Sequence, residues 1–257
     1  MIVSKSFIES PKARDAEFTT NQEDRPIVVQ FAASSAKELA DAAELVAPFA
    51  DAVDLNCGCP QRWAMHEGYG AHLIQQPELV RDMVHQTSNR TNLPVTIKIR
   101  IHNDLKKTVQ FVQTAEHAGV SWITVHGRTR SQRHHPVNYN AIKLVKENMS
   151  VPVVANGDIK STEDADRVAR MTGVDGVMAA RGILQNPAMY AGFDTTPQEC
   201  IHNWVEIAMK LGVPFTPFHQ HLMYMLEKLH SKQEKQIFNS LSSSAAVLDY
   251  LCEHHGL

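Results

Sequence analysis

The segment NCGCP, residues 56–60, carries a thiol in a position suited to proton transfer. Cys59 lies between Gly58, which permits a tight turn, and Pro60, which stiffens it. We therefore expect this thiol to project from a fixed loop, where it can react or donate a proton. Cys57 stands two residues nearer the preceding apolar run, and we expect it to be a buried filler.

Two cations and a histidine stand at the ends of later apolar runs. Lys98 and Arg100 are two residues apart in IKIR, so they point to the same side of a strand. Side by side they repel each other, which predicts an anion or an electron-rich ring nearby, unless the strand end leans into solvent. His126 in VHGR ends another run, with Arg128 just beyond it, and its position suits either a catalytic or a structural role.

Two glycine-containing segments close the last two apolar runs of the chain: ANGDI at 155–159 and AARGI at 179–183. Each leads into a predicted helix, and the N-terminal NH groups of helices bind phosphate. Gly157 would let the backbone approach a phosphate, and Arg181 would clamp it. Each end alone is also compatible with an ordinary strand-to-helix turn, but the consecutive pair favours a phosphate site.

The elements that must position these residues alternate along the chain. Short β-branched runs predict strands at 1–4, 27–31, 53–56, 95–100, 122–127, 151–157 and 176–180. Amphipathic segments predict helices at 35–48, 77–89, 105–118, 138–148 and 161–172. The runs are almost continuously apolar, which is typical of parallel strands covered by helices.

This alternation predicts an α/β fold, either a βα barrel or a doubly wound sheet. No GxGxxG follows a strand, which argues against a dinucleotide-binding Rossmann half. Six polar or glycine-rich strand ends favour a TIM (β/α)8-type barrel, in which all of them open onto one face. Residues 1–192 would form this barrel, with seven visible strands, and residues 193–257 would form a C-terminal all-α domain.

The composition is that of a globular protein, with 43% hydrophobic and 21% charged residues. No apolar run reaches the ~20 residues that cross a bilayer, and the N-terminus lacks a secretory signal pattern. Four cysteines make no disulfide framework, and no second close pair completes a metal site. A net charge of −3 supplies no broad basic field. We expect an intracellular protein, cytoplasmic or nuclear, that is monomeric and has no membrane or metal partner.

Taken together, the strand ends resemble those of the tRNA-dihydrouridine synthases. The matching motifs are VVQF, NCGCP, EGYGAHLI, IKIR, VHGR, NGD and AR, in this order along the chain. The segment CGCPQRWAMHEGYGA is most similar to the eukaryotic members that modify positions 20a and 20b of the tRNA D-loop. The similarity covers essentially the whole chain, and the ordered set is far more specific than any single motif.

The resemblance implies an FMN enzyme that uses NADPH or NADH to reduce the C5–C6 double bond of a uridine. It implies that the flavin is contacted by Gln30, Lys98 and His126. It implies that the FMN phosphate is held by Asn156, Gly157, Asp158, Ala180 and Arg181. Asn56 and Arg100 would face the uracil. Cys59 would be the acid that protonates C5, since an ordinary thiol is protonated at neutral pH.

The resemblance also implies that the helical region binds tRNA. Lys228, Lys232 and Lys235 are spaced i, i+4 and i+7, which predicts one face of a helix. We expect this face to touch tRNA phosphates, and a merely solvated face is the alternative.

Two departures from the family pattern lead to expectations of their own. His72 stands where the family has a cysteine, and we expect little consequence. The family has a strand and a helix before the run at 1–4, so we expect the first barrel strand to be missing and the barrel to be open. The first alternative function is therefore an inactive truncated product that at most binds tRNA. Another phosphate-binding barrel enzyme, an aldolase or isomerase using Lys98, would leave Cys59 and the helical region unexplained.

Overall fold

The computed structural model describes all 257 residues of the chain. Seven parallel strands form one sheet in chain order: β1 Ile2–Val3, β2 Val28–Ala32, β3 Ala52–Cys57, β4 Val95–Arg100, β5 Trp122–His126, β6 Val153–Asn156 and β7 Gly176–Met178. All seven predicted strands are present, within a few residues of their expected bounds. β1 and β7 are the two edge strands, because each pairs with one neighbour only.

Helices alternate with these strands and then continue without them. They are α1 Ser4–Glu9, α2 Pro11–Glu17, α3 Ala36–Val46, α4 Arg62–His66, α5 Pro77–Arg90, α6 Leu105–His117, α7 Tyr139–Glu147, α8 Thr162–Thr172, α9 Arg181–Gln185, α10 Gln198–Lys210, α11 Phe215–Met225, α12 Lys232–Ser240 and α13 Ser244–His255. Two short 3-10 helices lie at Gly70–Gln75 and Met189–Ala191. The five predicted helices are confirmed as α3, α5, α6, α7 and α8. The TIM-barrel-type α/β architecture and the helical C-terminal part are confirmed.

The first two helices, α1 and α2, were not predicted from the sequence. Helix α2 has no buried residue, so its sequence carries no apolar periodicity. Helix α1 is short and contributes mainly Phe7, whose ring packs edge-on against Phe31 with the ring centroids 5.3 Å apart. A helix that buries only one large apolar side chain shows no helical periodicity of apolar residues in its sequence.

Strands β2 to β6 each carry a polar residue near the C-terminal end, on the face opposite to the buried apolar residues. In β4, Val95, Ile97 and Ile99 are buried, and helix α5 packs against this strand. The residues that alternate with them, among them Lys98 and Arg100, belong to the opposite face. Because all seven strands run in the same direction, their C-terminal ends lie at one edge of the sheet, which therefore collects the polar side chains.

The chain forms two compact units. The first comprises residues 1–157 and 168–178 and contains the sheet, and the second comprises residues 158–167 and 179–257. The second unit has its own apolar core, which includes Phe218, Leu222, Phe238, Val247 and Leu251. None of the helices combines the length and the apolar character needed to cross a membrane.

Candidate functional site

Polar side chains occupy three alternate register rows on one face of the sheet. The rows are Gln30, Asp54 and Thr96; then Asn56, Lys98 and Thr124; then Arg100, His126 and Asn156. Parallel strands bring residues of one row side by side, and alternate rows point to the same face. The sequence-predicted residues of β2 to β6 are therefore brought together by the sheet.

A buried carboxylate, Asp54, organises the first row. Gln30 Nε2 donates to Asp54 Oδ2 at 2.7 Å, and Thr96 Oγ1 donates to Asp54 Oδ1 at 2.6 Å. Burial raises the pKa of Asp54, and the two hydrogen bonds and the nearby Lys98 charge oppose that rise. Sequence reasoning missed Asp54 and Thr96. Their signal was a polar residue at alternate positions of otherwise apolar strands.

Lys98 places a buried amine beside this carboxylate. Burial lowers the pKa of Lys98 to about 8, Asp54 acts to raise it, and Arg100 adds to the lowering. The ammonium makes no hydrogen bond or ion pair with another residue in the structure. Such a group is protonated in most molecules at neutral pH and is suited to contact an electron-rich ring or an anion.

Asn56 connects the first row to the cysteine turn. Its Nδ2 donates to Gln30 Oε1 at 2.8 Å. Its Oδ1 accepts from the backbone N–H of Gly58 at 3.0 Å and of Cys59 at 2.9 Å. The carboxamide therefore holds the turn after β3 in place, and Cys59 projects from a loop whose backbone is fixed.

Gly70 packs against the turn that carries Cys59. A Cβ at Gly70 would lie 2.6 Å from the Cys59 carbonyl oxygen and 2.9 Å from its Cβ, and Gly70 has a φ of +61°. Ala71 N donates to Cys59 O at 2.9 Å. Cys59 is half-buried, whereas Cys57 is fully buried and burial raises the pKa of its thiol. This agrees with a filler role for Cys57.

Arg100 joins the cysteine turn to the loop after β5. Its Nε donates to Gly58 O at 2.9 Å, and its Nη1 donates to Thr129 O at 3.0 Å and to Gln132 O at 3.1 Å. Burial lowers the pKa of Arg100, and the charge of Arg128 adds to that lowering. The guanidinium was expected to face the substrate, and in the structure it bonds three backbone carbonyls. Sequence spacing gives no sign of these contacts, because they join distant loops.

His126 ends β5 with a buried arginine beside it. Arg128 Nη1 lies 3.4 Å from His126 Nε2, and Arg128 Nε donates to His135 O at 2.5 Å. Arg128 is 4% exposed, so its side chain belongs to the interior of the loop. This contact restrains the imidazole at the strand end.

Two of the expected phosphate-binding residues, Asn156 and Gly157, belong to the first unit. Asn156 Nδ2 donates to Met178 O at 2.8 Å. Gly157 has a φ of +127°, and a Cβ there would lie 2.8 Å from Val137 Cγ2 and 3.0 Å from His126 Cδ2. Only glycine suits this position, which brings the backbone close to the His126 ring.

The remaining three, Asp158, Ala180 and Arg181, belong to the second unit. Asp158 has a φ of +53°, and its Oδ1 lies 3.9 Å from Arg181 Nη2. Ala180 precedes the five-residue helix α9, and Arg181 begins it. At Gly182 a Cβ would lie 2.4 Å from Ile159 O, so the two segments that carry these residues approach closely.

The lysine stripe does not lie on one helix, and this prediction was wrong. Helix α12 begins at Lys232, because Ser231 caps it by accepting from Glu234 N while the Glu234 carboxylate accepts from Ser231 N. Lys228 precedes this cap in a turn and donates from Nζ to Asp194 O at 3.3 Å. Lys232 and Lys235 do share α12. Contact of the three lysines with tRNA stays a prediction.

Comparison with known proteins identifies the family. Residues 1–247 match the family model described as dihydrouridine synthase (Dus). With its TIM-barrel-type fold and its strand-end site, the chain belongs to the dihydrouridine synthase family.

Its relatives carry a common name. The chain is 61% identical over 260 residues to a human protein named tRNA-dihydrouridine(20a/20b) synthase-like, with NAD(P)+ in its name, covering 100% of this chain and 82% of the relative. It is 39% identical over 257 residues to the tRNA-dihydrouridine(20a/20b) synthase of Schizosaccharomyces pombe, covering 99% and 78%. The solved old yellow enzyme from Trypanosoma cruzi aligns with a TM-score of 0.48 at 12% identity, covering 61% of this chain and 46% of that one.

Proposed function

We propose that this protein is a tRNA-dihydrouridine synthase that reduces the C5–C6 double bond of uridine, at positions 20a and 20b of the D-loop. The observation that carries the proposal is the Cys59 turn, held by Asn56 and Gly70 at the edge where the sheet collects its polar side chains. Family membership supplies the reaction class, and relatives named for positions 20a and 20b support the choice of uridine.

FMN fits the donor set at this edge. Lys98 offers a buried amine that no other residue hydrogen-bonds, and Gly157 allows close backbone approach. The ring would be held by Gln30, Lys98 and His126, and the phosphate by Asn156, Gly157, Asp158, Ala180 and Arg181. When bound, FMN would supply the hydride that it takes from NADPH or NADH.

The chain's own residues would place the uracil and give it a proton. Asn56 and Arg100 would lie beside the base and orient it. Hydride addition at C6 develops negative charge towards C5, conjugated to the C4 carbonyl, and Cys59 would donate its thiol proton to C5. A general acid in a fixed turn contributes typically ~10²–10⁴-fold to the rate.

The tRNA would reach this edge with its uridine outside the base stack, since chemistry on a stacked base is blocked. We propose that the helical domain at 193–257, with Lys228, Lys232 and Lys235, holds tRNA phosphates. A tRNA substrate implies an intracellular, cytoplasmic protein, and we propose that it acts as a monomer.

Two measurements on the purified protein test the function. The visible absorption spectrum reports bound flavin, and mass spectrometry of nucleosides reports dihydrouridine in tRNA that previously lacked it. We expect a yellow protein that forms dihydrouridine with NADPH or NADH. A colourless protein that takes up no added FMN, or a flavin-bound one that leaves the tRNA unchanged, would contradict the proposal.

A further inference from the structure

A cavity of about 120 Å³ lies beside the loop after β5 that Arg100 contacts through the carbonyls of Thr129 and Gln132. Its walls come from the 3-10 helix Gly70–Gln75, the segment after β4 and the loop after β5. The polar side chains that line it are those of Gln75, His102, Asn103, Thr129, Arg130 and Ser131. The volume far exceeds the ~10–15 Å³ that one water needs, and it can hold a group as large as a phosphate.

The chemistry of the lining favours an anion. No carboxylate lines the cavity, and Arg130 is its charged residue. Hydroxyl groups come from Thr129 and Ser131, and carboxamides from Gln75 and Asn103. One guanidinium surrounded by neutral hydrogen-bond donors suits a ligand with several acceptor oxygens, and phosphate is the commonest such group.

The loop that forms one wall is held in place before any ligand binds. Arg100 donates to the carbonyls of Thr129 and Gln132, and Thr129 N donates to Gln132 Oε1 at 2.9 Å. The same guanidinium bonds Gly58 O, next to Cys59. A ligand in the cavity would therefore contact a loop joined by one side chain to the turn that carries the thiol.

His102 also lines the cavity, and its half-buried imidazole adds one more neutral polar group to the wall.

We propose that this cavity binds one phosphate group during the reaction, as a subsite beside the uracil. The inference rests on the proposed function, which offers two sources of phosphate: the RNA backbone next to the target uridine, and the reduced nicotinamide dinucleotide. Both present the same acceptor oxygens, and the experiment distinguishes them by measuring each ligand separately.

Two pairs of exposed residues give matched variants. Asn103→Asp adds a negative charge inside the cavity, and Asn140→Asp adds the same charge on α7, outside it. Arg130→Gln removes the cavity's cation, and Arg133→Gln removes a cation of the same loop that does not line it. All four positions are exposed, so the variants should fold.

Binding of unmodified tRNA is measured by fluorescence anisotropy across a salt series. Binding of NADPH is measured from the concentration dependence of flavin reduction. If the source is RNA, Asn103→Asp weakens tRNA binding about tenfold, and Arg130→Gln lowers the log–log salt slope by about 1 unit, with both controls near wild type. If NADPH binding falls instead, the phosphate is that of the reductant.

Equal behaviour of cavity variants and controls towards both ligands would overturn the subsite while leaving the proposed function intact. A wild-type protein that binds neither tRNA nor NADPH would remove the proposed function and the subsite with it.

Discussion

Replacing Gly70 by alanine tests whether the fixed position of Cys59 matters for turnover. The added Cβ would meet the Cys59 carbonyl oxygen at 2.6 Å, against an ordinary contact distance of 3.4 Å or more. Because the opposing atom is backbone, relief requires the cysteine turn to move by roughly 0.8 Å. A misplacement near 1 Å can cost about 10²-fold in rate, so we expect a 10- to 100-fold loss, approximately, in dihydrouridine formation.

The left-handed backbone at Gly70 adds a cost that a control must separate. Any non-glycine residue with such a φ loses ~1–2 kcal/mol of stability, which is roughly 2–8 °C in Tm for a chain of this size. Gly173 has a φ of +68°, close to the +61° of Gly70, and no atom lies within 4 Å of its added Cβ. Gly173→Ala therefore carries the backbone strain without the contact.

The assay compares dihydrouridine formation per flavin-bound protein, together with Tm, for both variants. We expect both to lose stability and only Gly70→Ala to lose turnover. Wild-type turnover in Gly70→Ala, or an equal loss in Gly173→Ala, would refute the reasoning that the glycine holds the thiol in position.

Three further outcomes are expected. Because burial lowers the pKa of Lys98 to about 8, flavin binding should weaken as pH rises through that value, and Lys98→Met should abolish the dependence in a fluorescence titration. Burial also lowers the pKa of His230 and His255, whose Nε2 atoms lie 2.9 Å apart. The folded state then binds fewer protons than the unfolded state below about pH 6.5, so this contribution to stability is present above about pH 6.5 and is lost as pH falls. Urea unfolding measured above and below about pH 6.5 will show this loss of stability. The variant His255→Gln will make the pH dependence flatter. Neutralising Lys228, Lys232 and Lys235 should weaken tRNA binding and lower the log–log salt slope by up to about 3 units. An unchanged slope would make these lysines ordinary surface residues.

The strands and the main helices were predictable because each leaves a periodic apolar signal. In β4, the alternation of Ile97 and Ile99 with Lys98 and Arg100 is visible in the sequence, and so is the shared face of the two cations. A glycine directly after a predicted helix is a second kind of signal, because it is typical of a helix C-terminus: Gly119 follows the helix predicted at 105–118, and its φ is +96° at the end of α6.

The contacts that complete the site were not predictable, because they join residues far apart in the chain. Nothing near Gly70 indicates that it packs on Cys59, and nothing near Arg100 indicates its bonds to Thr129 and Gln132. These depend on how loops meet at the sheet edge. The prediction of one helix face for the three lysines was wrong for a different reason: the capping box of Ser231 and Glu234, which is visible in the sequence, starts α12 after Lys228.

Removing the Cys59 thiol tests the central claim, that this side chain protonates the uracil. In Cys59→Ala, NADPH should still reduce the bound flavin at the wild-type rate, because hydride transfer to the flavin needs no thiol. Reoxidation of the reduced flavin by unmodified tRNA, followed by absorbance in a single turnover without oxygen, should fall by ~10²–10⁴-fold. Cys57→Ala, which removes the buried thiol two residues away, should reoxidise at the wild-type rate per flavin-bound protein. Wild-type reoxidation by tRNA in Cys59→Ala would contradict the assignment of Cys59 as the acid.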